Sequence, residues 1–189
     1  DRTTQSSPGF VHIEDIATRS KGLDWHIKPH RHNRLFQILC IFDGEMEIQL
    51  NRETHPLQGN WVVTIPVGVV HGFRFQPNSD GFVLSVTDSV LAEEILQGFG
   101  GHSSEFFQIP QLINPNKGDR QFQQFLRYID LIREEFSSHG ADQDQSLGLL
   151  SRLALMTLNR QLQHKKLQAS LGQKESLMLS KFRALIEDH

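Results

Sequence analysis

One cysteine, Cys40, stands alone in the 189 residues of this chain. It has no partner for an internal disulfide, which excludes a small disulfide-stapled scaffold and fits a reducing, cytoplasmic setting. Its neighbours Ile38, Leu39, Ile41 and Phe42 make it a small core residue rather than a reactive thiol. Long apolar runs are lacking as well. None approaches the ~20 residues that a membrane-crossing helix needs, so no membrane partner is expected. The opening Asp-Arg-Thr-Thr-Gln-Ser-Ser-Pro has neither a signal-peptide core nor an initiator methionine, so the chain reads as a fragment at that end. Positive charge is not in excess. Lys and Arg number 19 against 22 Asp and Glu, a net charge of −3, whereas a domain that grips nucleic acid by itself carries a strong basic excess. Internal repeats and low-complexity tracts are missing too.

What is present is a globular composition, 38% hydrophobic and 22% charged, in a chain long enough to fold without a metal or disulfide staple. Texture divides it in two. Residues 10 to 87 are rich in Val, Ile, Phe and Trp, with Gly, Pro and Asn punctuation; residues 88 to 189 are rich in Leu, Gln, Glu and Ser at helical spacing. In the first half, residues 10–16 begin a series of short strands. The mostly apolar run Phe36 to Phe42 predicts a strand covered on both faces, and Asp43-Gly44 predicts a hairpin turn after it. Residues 45–50 alternate, so Met46, Ile48 and Leu50 face inward. Gly59-Asn60 turns into a strand from Trp61 to Ile65, Pro66-Val67-Gly68 breaks it, and Val70 to Phe75 and Phe82 to Val86 follow. Strands at this spacing predict a sandwich or barrel.

The second half reads as helices. Asp88 is a candidate cap for one running through Leu91, Ile95 and Leu96 to Gly98, and the stretch from Gly100 to Pro115 reads as a connector. Asp119 caps the next, which carries Phe122, Phe125, Leu126, Ile129, Ile132 and Phe136 on one face and ends by Gly140. Residues 143–166 form the longest helix, with Leu147, Leu150, Ala154, Leu158 and Leu162 in line. A last helix is expected to begin near Gly172, carrying Leu177, Phe182, Leu185 and Ile186, and it reaches His189 without a terminator.

The chemistry-bearing stretch is Pro29-His30-Arg31-His32-Asn33-Arg34-Leu35-Phe36-Gln37, with Gly44 following it. Two histidines at i and i+2 on a strand project from one face, and Gln37 can turn back toward them. Later come Gly59 and then Pro66-Val67-Gly68-Val69-Val70-His71. His30, His32 and His71, with Gln37 beside them, are candidate ligands for a divalent transition metal such as zinc, nickel or iron. The alternative is that these imidazoles hydrogen-bond to a ligand, to water or to each other. Gln37 is a neutral amide and brings no charge to a metal. His71, Phe73 and Phe75 share one strand face, and Trp61 begins a neighbouring strand. These aromatics either fill the barrel or, with His30, His32, Arg34, Gln37, Trp61, His71 and Phe73 as lining, form an apolar slot with a polar end. Such a slot suits a small aromatic carboxylate, with Arg34 as the nearby cation; alternation puts Arg74 on the face away from His71. His26 reads as an ordinary strand histidine or a residue at the pocket mouth.

This arrangement resembles the two signature motifs of the cupin superfamily: His-x-His, a Glu a few residues on and a Gly after the strand, then Gly followed by Pro-x-Gly-x-x-His. His30, His32, Gln37, Gly44, Gly59, Pro66, Gly68 and His71 stand at the matching positions, with Gln37 replacing the glutamate. The resemblance implies a double-stranded β-helix, or jelly-roll, barrel. A barrel followed by a helix pair and a long Leu-lined helix is similar to the N-terminal domain of AraC-type bacterial transcription regulators. That resemblance, from about Phe10 to His189, implies an effector-binding barrel at residues 1–87 and a helical dimerisation segment at 88–172. Residues 173–189 would then begin the link to a C-terminal helix-turn-helix domain outside the chain.

The likeness further implies a homodimer made through Leu147, Leu150, Leu158 and Leu162, with promoter DNA reached only through that missing domain. Trp25-His26-Ile27-Lys28-Pro29-His30-Arg31-His32 followed by Leu35-Phe36-Gln37 is similar to regulators of 4-hydroxybenzoate catabolism, which activate transcription. The expected function is therefore that of a non-enzymatic sensor. The other reading is a metal-dependent cupin enzyme, a dioxygenase or isomerase, against which Gln37 for Glu argues.

Overall fold

The computed structural model describes residues 10–22, 24–77, 79–97, 105–116 and 118–187. Among them, nine strands build two antiparallel sheets. One has the order β1 (Val11–Asp15), β8 (Asp80–Thr87), β3 (Leu35–Asp43), β6 (Trp61–Ile65), β9 (Gln111–Ile113). The other has the order β2 (His26–His30), β7 (His71–Phe75), β4 (Glu45–Leu50), β5 (Glu53–Gln58). The sheets face each other across an apolar layer. Leu39, Ile41, Val63, Ile65 and Val83 of the first meet Met46, Ile48, Leu50, Leu57, Phe73 and Phe75 of the second. The parity read from the sequence for β4 and β7 is therefore the parity of the fold, a cupin-like barrel followed by helices.

On its outer face the five-stranded sheet presents Phe36, Ile38, Cys40, Val62, Phe82 and Leu84 to α4 (Arg120–Phe136) and α5 (Gln143–Glu187). β3 is buried on both faces, which explains its nearly unbroken apolar run. Burial of a large aliphatic or aromatic side chain in these layers contributes about 1.5–3 kcal/mol. Cys40 lies within the outer layer, and burial pushes its thiol far above the ordinary range against the opposing pull of Arg133. It is the inert core thiol that its neighbours suggest.

Prolines sit at the sheet edges. Pro29 is in β2 and Pro56 in β5, the two outer strands of the four-stranded sheet, where a missing N–H costs no ladder bond. The Asp43-Gly44 turn is a corner rather than a hairpin. β3 and β4 belong to different sheets, and Gly44, with φ +103°, carries the chain between them. A Cβ at Gly44 would meet Ser79 Cα at 2.9 Å, so this glycine also serves a close approach. The Asp-Gly signal marks a positive φ and does not specify which strand pairs next.

The helical hairpin agrees with its sequence pattern at α4. Asp119 Oδ1 accepts from the backbone N–H of Gln121 and Phe122, and Phe122, Phe125, Ile129 and Ile132 are buried. Elsewhere the structure adds or moves elements. α1 (Ile16–Lys21) follows β1 directly. α2 (Ala92–Gln97) starts four residues beyond Asp88, whose carboxylate accepts from Arg34 Nε instead of capping. The expected connector holds α3 (Glu105–Gln108) and β9, so the barrel sheet takes a strand from beyond position 87. Gly98, Gly100 and Gly101 lie outside the described residues. α5 continues through Gly172 to Glu187 without the expected break, since one glycine costs a helix only about 1 kcal/mol.

The leucine stripe of α5 turns inward. Leu147 and Leu158 are buried in the chain's own core, and Leu150 and Leu162 are half-buried against it. These four seal α5 onto α4 and the sheet. The face left exposed carries Leu149 and Leu153, 54% and 36% exposed.

Candidate functional site

β2 runs beside β7 with Ile27 opposite Phe73, then slips, so that His30 stands opposite His71. His32 lies beyond the end of β2 in the loop to β3, not on the same strand as His30. The pair thus converges through a bulge and a loop instead of i, i+2 alternation. The Pro66-Val67-Gly68 turn holds that loop: the Gly68 N–H donates to the His32 carbonyl at 2.8 Å. Asn51, at φ 55° in the β4–β5 turn, fixes the approach to His71. Its N–H donates to the Val70 carbonyl at 2.7 Å and its Oδ1 accepts from the Val70 N–H at 3.3 Å.

Three imidazoles meet as a result. Ring centroids are 4.5 Å apart for His30 and His71, 4.9 Å for His30 and His32, and 5.6 Å for His32 and His71. One ring nitrogen from each lies within 4.8 Å of the others. His30 Nδ1 stands 2.8 Å from the Lys28 carbonyl, and His71 Nδ1 stands 2.9 Å from the Val69 carbonyl. A carbonyl only accepts, so Nδ1 carries a proton in both rings, and in the neutral imidazole the lone pair is then on Nε2. Backbone carbonyls that fix the tautomer in this way are the usual support of a metal-binding histidine. The donor set fits a divalent transition metal held by His30, His32 and His71.

Around the cluster, His71 touches the Phe73 ring at 5.5 Å, and Phe73 stacks on Phe75 at 5.6 Å. Gln37 lies on the inward face of β3, on the same side as Leu39 and Ile41, and is buried. Its Nε2 donates to Ser85 Oγ at 2.9 Å, while its Oε1 is buried without a protein donor. Ser85 escaped the sequence reading. The β3–β8 register that places it opposite Gln37 was its signal, and that register is not visible before pairing is known. The carbonyls of Lys28 and Val69 leave no sequence signal at all.

Other expected lining residues are elsewhere. Arg34 is exposed and pairs with Asp88 at 3.4 Å, outside the barrel. Arg74 faces outward as alternation predicts and pairs with Glu47 at 3.7 Å. His26 is exposed opposite Arg74. Trp61 is half-buried against the inner layer, with Nε1 donating to the Gln58 carbonyl at 3.1 Å. It stands opposite Ile41, whereas Ile65 stands opposite Gln37. Four residues of strand, about 13 Å, therefore separate Trp61 from the level of Gln37. An open concavity of about 590 Å³ lies on the outer face of β4, β5 and β7, lined by Glu45, Glu47, Gln58 and Arg74 among others. It includes none of the imidazoles, and its charged groups are already paired, so the chemistry rests with the histidine cluster.

Residues 15–163 match the family model of the AraC-like ligand binding domain, a span from the end of β1 into α5. The chain belongs to this family. An AraC-like ligand-binding domain is thus what the barrel and its helical hairpin form. No curated protein is significantly similar to it in sequence. Among solved structures, ToxT from Vibrio cholerae, bound to an unsaturated fatty acid, is 11% identical with a TM-score of 0.45, over 82% of this chain and 55% of that one. KdgF from Halomonas sp. is 27% identical with a TM-score of 0.31, over 32% of this chain and 57% of that one. An RmlC-like cupin from Shewanella frigidimarina is 18% identical with a TM-score of 0.29, over 33% and 54%. The chain thus spans little more than half the length of each of these three solved structures. No helix among the described residues is long and apolar enough to cross a membrane.

Proposed function

We propose that this AraC-like domain senses a small aromatic carboxylic acid at the histidine end of its barrel. As a homodimer, it would then control a DNA-binding segment outside these residues. The observation that carries the reading is the convergence of His30, His32 and His71 beside Phe73 at the end of an apolar interior.

A buried carboxylate needs a positive partner. Arg34 and Arg74 are engaged outside the barrel, which leaves the imidazoles themselves or a metal they hold. Two positive charges on rings whose centroids are 4.5 Å apart would repel each other. One divalent metal ion would carry the positive charge without that repulsion and would supply a Lewis-acidic centre for a carboxylate oxygen. His30, His32 and His71 would hold it, and Gln37 would offer its free Oε1 to a hydroxyl or other donor on the ligand.

Titration calorimetry of the chain with benzoate and its hydroxylated derivatives, 4-hydroxybenzoate first, tests the reading. It is run with the protein loaded with zinc, nickel or iron and again after chelation. Saturable binding at the histidine end supports it. A preference for long aliphatic acids, or no binding in any metal state, replaces it. The same cluster would serve a metal-dependent enzyme, and oxygen consumption or isomerisation by the loaded protein would favour that second reading.

A further inference from the structure

We infer that Gly72 is a positioning residue of the histidine cluster. It makes room for the β2 bulge that turns His30 into the barrel. The inference rests on the geometry of the site and holds whether or not a metal or effector binds there.

Ile27 faces inward opposite Phe73. In an unbroken antiparallel register Lys28 would stand opposite Gly72 and Pro29 opposite His71, and His30 would point to solvent. The observed pairing has His30 opposite His71, so Lys28 and Pro29 together oppose the single residue Gly72. One extra residue reverses the parity of β2 and brings the His30 ring to 4.5 Å from that of His71. Pro29 suits the bulge because it has no N–H to leave unpaired.

Gly72 is not needed for backbone conformation, since its φ is not among the positive values. It is needed for space. A Cβ there would lie 3.0 Å from Pro29 N, 3.1 Å from Ile27 O and 3.2 Å from Pro29 Cα. All three are backbone atoms of β2 at or next to the bulge, which cannot rotate aside as a side-chain end can. A methyl group at position 72 would therefore require the β2 backbone to give by a few tenths of an ångström at the bulge that sets His30 against His71. Removing Pro29 relieves the crowding while leaving Ile27 opposite Phe73 and His30 opposite His71.

Proton NMR of the metal-free chain tests this through the cross-relaxation peaks between the His30 and His71 rings. Those between Phe73 and Phe75 report that the barrel is folded. The wild type shows both sets. Gly72→Ala is expected to weaken the His30–His71 intensity relative to the Phe73–Phe75 peaks, and removal of Pro29 in the Gly72→Ala background is expected to restore it. Full His30–His71 intensity in Gly72→Ala overturns the inference, and so does a loss that removal of Pro29 fails to repair. Should Gly72→Ala not fold, the double variant decides alone: folded with the contact supports the inference, and unfolded or lacking the contact overturns it. No ligand enters the measurement, so an absence of effector binding leaves its outcome intact.

Discussion

In the proposed site, Gln37 is the residue that would tune the chemistry of the cluster. A neutral amide leaves three imidazoles as the strong donors, and its Oε1 is free inside the barrel. Gln37→Glu adds a carboxylate where the related cupin motif has one. Metal affinity is expected to rise tenfold or more, read by competition with a chelator. The metal-free variant is expected to melt lower than wild type, because a buried carboxylate without a cation is costly. A variant with unchanged metal affinity would show that Gln37 does not face the cluster. Cys40 gives a second prediction. Burial raises its pKa in the fold, so the native state holds a proton that the unfolded chain releases above about pH 8.5. Its contribution to stability is fully present below that pH and is lost as pH rises further. Thiol reagents are expected to modify Cys40 slowly in the native protein and fast in denaturant; equal rates would contradict its burial.

At the scale of elements, α5 presents leucines on two faces, one packed on the chain's own core and one exposed. Leu158 is buried, so Leu158→Glu places a charge in the core and is expected to unfold the chain rather than yield a monomer. Leu149 and Leu153 are one turn apart on the exposed face. The double change Leu149→Glu and Leu153→Glu is expected to leave the chain folded, since neither side chain is in the chain's own core. The same change should convert a dimer to a monomer in sedimentation; a dimer that persists puts the interface elsewhere. Periodicity shows which residues of a helix share a stripe but not which of two stripes meets the chain's own core. Strands were legible where alternation was strong, as in β4 and β7. β5 was hidden because Thr54-His55-Pro56-Leu57 is polar and proline-bearing, as an edge strand tends to be. β9 was hidden because three residues carry no period. The histidines themselves were legible from spacing. The bulge that makes them converge was not, since it depends on the backbone of a neighbouring strand.

For the whole molecule, the proposed sensor requires that an effector bind one arrangement of the dimer more tightly than another, or nothing is transmitted. With a net charge of −3, the chain alone is expected not to retain promoter DNA at physiological salt. Salt-sensitive, sequence-specific retention in an electrophoretic shift would place DNA reading within these residues. Whether the imidazole cluster is the polar end of an effector site is decided by calorimetry on folded His30→Ala and His32→Ala. Both rings are only half-buried, so both variants are expected to fold, with melting curves as the control. An aromatic acid is expected to bind each variant about tenfold to a hundredfold more weakly than wild type, a loss of ~1–3 kcal/mol. Wild-type affinity in both folded variants would contradict it.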